Sequence, residues 1–172
     1  MSFTSPTKRR VPPQPYCPTQ DWRRMNGGLH RPHAPISFDY VGQPRPGQGV
    51  SMRELRLKST STPIAGSDDP VLAATGLQRI IVRIIWPGYG HVEWCRNVTV
   101  VSRNGEPISR VCLAVQIATT FASWFEKTQY EHPSSSEWMI SPACVQFKHL
   151  YLVSLINTFD DCWQADVALD VC

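Results

Sequence analysis

No run in this 172-residue sequence approaches the roughly 18 consecutive apolar residues that a membrane-crossing helix requires. Five prolines and a charge cluster break up the first twenty residues, so the apolar stretch of a secretory leader is missing too. The expectation is a cytoplasmic or nuclear chain away from the membrane. Signatures of chemistry are equally scarce. There is no Gly-rich phosphate loop, no His-x-x-x-His and no Gly-x-Ser-x-Gly. The common nucleotide-binding, zinc-protease and serine-hydrolase readings lose their basis.

Six cysteines, at 17, 95, 112, 144, 162 and 172, form no Cys-x-x-Cys pair. In a reducing compartment they read as free thiols, several packed as small hydrophobes. His30-x-x-His33 has no cysteine partners, and Asp160, Asp161, Asp166 and Asp170 read as a solvated turn and strand face. Neither a metal nor a cofactor is expected. Cys95 with His91, and Cys162 with His149, remain as pairs for nucleophilic chemistry. Such chemistry needs the base within hydrogen-bond reach, and no catalytic residue is assigned.

Large apolar residues are also thin at the front. Among the first 48 residues only Phe3, Val11, Leu29, Ile36, Phe38 and Val41 are Val, Ile, Leu or Phe, while eleven of the fifteen prolines fall before residue 71. Ordering a residue costs about 1–2 kcal/mol of backbone entropy, and this segment offers little burial to offset it. Residues 1–48 are therefore expected to be a disordered, Pro-rich arm. They are basic as well. Residues 1–60 hold ten Lys/Arg against three acids, a net +7, and the remainder holds seven against eleven, a net −4. Lys8-Arg9-Arg10 follows Ser5-Pro6-Thr7, so Ser5 sits in a Ser-Pro-x-Lys sequence suited to proline-directed phosphorylation.

Order is expected from residue 49. Residues 49–76 read as a tether with short helical turns. Ser51-Met52-Arg53-Glu54 has the capping-box pattern, and Asp69-Pro70 with Gly76 brackets a second turn. Residues 77–172 read as the folded domain. Ile80, Val82, Ile84 and Trp86 alternate with Arg79, Ile81, Arg83 and Ile85, and a second strand from about Val92 to Ser102 runs into Asn104-Gly105. Ser109 caps a helix over about Arg110–Lys127, with Leu113, Ile117, Phe121 and Trp124 as its apolar stripe and Thr120 on the opposite side. Leu150–Ile156 suits strand or helix, and strand is favoured because Trp163, Ala165, Val167, Leu169 and Val171 alternate beyond a turn at Asp160-Asp161. The fold class is α+β: a small, mainly antiparallel four-stranded sheet with one dominant helix on a face.

Gly49-Val50-Ser51-Met52-Arg53-Glu54-Leu55, Ile84-Ile85-Trp86-Pro87-Gly88-Tyr89 and Trp163-Gln164-Ala165-Asp166-Val167 resemble runs in a family of uncharacterised hypothetical proteins from mushroom-forming fungi. The resemblance covers about residues 49–171. It implies a fungal, cytosolic or nuclear protein and carries no activity, cofactor or site residue.

The function expected is a non-enzymatic protein-interaction module. Its candidate binding patch is the loop containing Trp86, Tyr89 and His91, with Trp94 nearby, because aromatic side chains on a rigid loop can anchor a partner. Inward-facing Tyr89 and His91 would end that idea. One alternative is a nucleic-acid-associated accessory protein working through Lys8, Arg9 and Arg10, with weak non-specific affinity. The other is an enzyme with a Cys/His site.

Overall fold

The structure, a computed structural model, describes residues 8–12 and 32–170. Its sheet is built on a long hairpin, β6 (Leu150–Phe159) and β7 (Cys162–Asp170), turning at Asp160-Asp161 as the alternation predicts. Asp160 itself takes a positive φ of 44° at the turn. β4 (Arg79–Ile84) lies beside β7, and β5 (Trp94–Thr99) pairs antiparallel with β4. These four strands are the ones expected.

The sheet nevertheless has seven strands and is mixed. β4 runs parallel to β7, with Ile81 beside Cys162 and Val82 beside Trp163. Three short strands come from the stretches read as arm and tether. β1 (Lys8–Arg10) pairs with β7, while β2 (Ile36–Ser37) and β3 (Val50–Ser51) pair with β6. Each of the two hairpin strands thus has its outer edge served by two separate segments: β2 and β3 along β6, β1 and β4 along β7.

The expectation of an unstructured 1–48 arm is corrected for its described parts. Residues 8–12 and 32–48 are built into the sheet and core; the rest of the expected arm, with Ser5 and His30, lies outside the described residues. The physical reason is placement rather than quantity of apolar surface. Val11 is 7% exposed, Ile36 6% and Phe38 0%, so few large side chains enter the core, but they do so on backbone that also pairs with β6 or β7. The Phe38 amide donates to Val153 O at 3.0 Å and the Val11 amide to Val167 O at 2.9 Å. Ladder bonds together with buried side chains offset the ordering entropy that the segment's composition alone does not.

Helix α1 (Met52–Lys58) starts at Ser51, whose hydroxyl accepts from the Glu54 amide at 3.3 Å. Helix α2 (Arg110–Thr128) starts at Ser109, whose hydroxyl accepts from the Cys112 amide at 3.4 Å. Leu113, Ile117, Phe121 and Trp124 are buried as expected. Thr120, expected on the open side, is buried as well, and its hydroxyl donates to the Gln116 carbonyl at 2.9 Å. That internal bond lets a polar side chain occupy a buried position. The second bracketed turn is a short 3-10 segment, Ala73–Thr75, ended by Gly76 at φ 71°. Cross-strand partners share a face, so the register puts Ile80, Val82, Leu152, Leu155, Val167 and Leu169 together, and all of them join α1 and α2 in one core. Lys8, Arg10, Tyr151 and Asp166 fall on the opposite face. Among the described residues no helix is long and apolar enough to cross a membrane.

Candidate functional site: the slot on the edge of β7

Trp86 and Tyr89 are not a binding surface. They are 2% and 1% exposed, and each makes a buried hydrogen bond. The Trp86 indole N–H donates to the Trp138 carbonyl at 2.9 Å, and the Ile140 amide donates to the Tyr89 hydroxyl at 3.0 Å. Trp86 continues the buried alternation of Ile80, Val82 and Ile84, which is why it turns inward. The loop is an internal clamp. It holds the segment Ser134–Ile140 against the core, with Gly88 accepting from the Ser134 amide at 2.8 Å. A side chain at Gly88, at φ 85°, would meet the Ser135 carbonyl oxygen at 3.0 Å. His91 stays exposed and stacks beside Tyr89; Trp94 is half-buried under Lys127, whose ammonium lies 4.7 Å from its ring.

The clamp matters because of what the clamped segment carries. Glu137 and Trp138 are held beside β1, where Arg9 pairs with the Glu137 carboxylate and lies 4.5 Å over the Trp138 ring. Arg10 meets Asp166 through two parallel bonds, Nε to Oδ1 at 2.7 Å and Nη2 to Oδ2 at 2.5 Å. Lys8 sits 4.0 Å over the Tyr151 ring and donates to the Gln48 carbonyl at 3.3 Å. Burial pulls the Lys8 amine below its usual range, while Asp170 and Asp39 push it back up. Asp39 has a second task, since its Oδ1 accepts from the amides of Gly47, Gln48 and Gly49 at 3.0–3.4 Å and so shapes the loop that presents Gln48.

Every base of the Lys8-Arg9-Arg10 run thus has its own acceptor or ring, and the backbone between them is laddered to Ala168, Leu169 and Asp170. The result is an extended, acidic and aromatic slot for a basic strand. It has backbone pairing for affinity and side-chain partners on alternating faces for register. Sequence reasoning singled out the three bases but not their partners. Glu137 lies 128 residues from Arg9, and Asp166 156 residues from Arg10. No local pattern connects them.

Cys162 and His149 do not come together as a catalytic pair needs. His149 precedes Leu150 at one end of β6, whereas Cys162 pairs with Phe159 at the other. The ten residues of β6 put nine rises of about 3.3 Å between those ends, roughly 30 Å. The His149 Nδ1 accepts from the Gln146 amide at 3.0 Å. Burial pushes the Cys95 thiol above its usual range, with Arg83 opposing, so its thiolate fraction at neutral pH is reduced. Among the described residues no group of three or more His, Cys, Asp or Glu is arranged to hold a metal ion. No family model, no curated protein and no solved structure matches the chain.

Proposed function

We propose that this chain is a non-enzymatic protein-interaction module that binds a basic, extended segment of a partner by strand addition to the edge of β7. In this reading residues 8–12 are the placeholder that occupies the slot until a partner displaces them. One observation carries it: Lys8–Arg10, an edge strand of only three residues, has a separate charged or aromatic partner for each of its side chains. A structural edge strand needs only its ladder bonds. Side-chain pairing at each successive position is what recognition of a sequence requires.

The slot's charge fits the proposal. Asp166, Asp170, Glu137 and Asp39 surround it, and a partner bearing Lys-Arg-Arg would find the same acceptors that residues 8–10 use in cis. The same occupancy argues against the nucleic-acid reading, because the three bases are matched within the chain. Phosphate contacts would first have to break those pairs.

Displacement sets the expected behaviour. A partner's apparent affinity is lowered by the fraction of chains whose slot is filled. Replacing Arg10 with Glu sets like charge against Asp166 and frees the slot. A labelled Lys-Arg-Arg-Val-Pro peptide, followed by fluorescence anisotropy, should bind full-length Arg10→Glu at least about tenfold more tightly than the unchanged chain. Adding Asp166→Lys to that variant should abolish the binding. Equal affinity in the presence and absence of Arg10→Glu, with near-UV dichroism intact, would sink the proposal.

A further inference from the structure

Resting on that strand-addition reading, we infer that the partner's strand carries a bulky apolar residue, leucine or phenylalanine, directly after its basic triplet. Two separate elements pair along this edge of β7. β4 pairs with it at Cys162 and Trp163, β1 at Ala168–Asp170, and the Val11 amide reaches Val167 O. Between these two segments, beside Gln164–Asp166, lies a cavity of about 90 Å³. Val11, Pro12, Ile84, Trp86, Phe121 and Ala165 line its apolar part, and Asp166 stands at its wall.

Space of that size is several times the roughly 10–15 Å³ needed to hold a single water. Val11 is buried against it and does not fill it. A short β-branched side chain leaves the lining without partner atoms on one side, and those dispersion contacts are lost. A longer side chain at the same position would recover them. Register is fixed at this point by side chain and backbone together. The bidentate Arg10–Asp166 pair anchors the preceding residue, and the Val11 amide donates to Val167 O at 2.9 Å. The residue after the triplet is therefore the one directed at the cavity. An undersized occupant is what a displaceable placeholder needs, since a better-fitting one would resist exchange.

Three labelled peptides, Lys-Arg-Arg-Val-Pro, Lys-Arg-Arg-Leu-Pro and Lys-Arg-Arg-Phe-Pro, titrated against full-length Arg10→Glu separate the outcomes. The expected result is that the Leu or Phe peptide binds at least about fivefold more tightly than the Val peptide. Equal affinities, or a preference for Val, overturn the size inference and leave strand addition standing. Saturable binding by none of the three removes the strand-addition reading and this inference with it. A second measurement needs no peptide. Val11→Leu in the otherwise unchanged chain should raise Tm by about 2–4 °C by filling the same space. A lower Tm would show that the cavity does not accept the longer side chain and would contradict the inference.

Discussion

At His149 a single ring nitrogen ties protonation to structure. Its Nδ1 accepts the Gln146 amide hydrogen at 3.0 Å, so a proton there would replace an acceptor with a donor facing a donor. Burial is the largest cause holding its pKa below the usual value, and the Lys148 charge adds to it, with Asp170 on β7 pulling the other way. The sign follows. A histidine whose folded pKa is depressed binds fewer protons folded than unfolded as the pH falls. Its contribution is present above the unfolded value of about 6.5 and is lost as pH drops through the folded one. Urea midpoints at pH 7 and pH 5 should differ less in His149→Asn, whose amide oxygen accepts without titrating, than in the unchanged chain. An identical difference in both would place the pH dependence elsewhere. Trp86 makes the corresponding point for function. A side chain that looks like a binding aromatic holds the Trp138 carbonyl, and Trp138 in turn receives Arg9.

Short elements such as β3 depend on close approach rather than on length. Gly49, at φ 81°, precedes β3 and runs so near β6 that a Cβ would lie 2.8 Å from the Leu152 carbonyl oxygen. Gly49→Ala should cost about 1–3 kcal/mol, read as a lower denaturant midpoint with unchanged slope, because both the left-handed backbone and the backbone contact oppose a side chain. A stability within about 0.5 kcal/mol of the unchanged chain would show that β3 is not held as described. The contrast between elements also shows what was legible. β4, β5, α2 and the β6–β7 hairpin carry their own periodicity, caps and turn, and each was readable from residues near in sequence. β1, β2 and β3 are two or three residues long, too short for any period to register. They are strands because β6 and β7 offer edges to them, a property of distant sequence. For the same reason the parallel β4–β7 pairing was not anticipated. Of the slot, only its basic occupant was visible; its acids and rings are gathered by the fold.

Taken over the whole molecule, the charge asymmetry acquires a geometry. The basic front and acidic remainder of the sequence meet where Lys8, Arg9 and Arg10 lie among Asp170, Glu137 and Asp166. The arm read as a free tail is, over residues 8–12, a strand laid onto the body, and its removal would reopen the edge of β7 from Val167 to Asp170. Open edges invite pairing, and proteins fill or blunt them. Here the filling is short, sits at the sheet's margin and leaves a cavity beside it. The central claim is that this strand is exchangeable. The most direct measurement is an NMR titration of isotopically labelled full-length protein with unlabelled Lys-Arg-Arg-Phe-Pro peptide. The account predicts that the amide signals of Lys8–Val11 leave their folded positions as the peptide saturates, while the amides of Val167–Asp170 remain protected from hydrogen exchange. Folded positions of Lys8–Val11 that persist throughout the titration would contradict it.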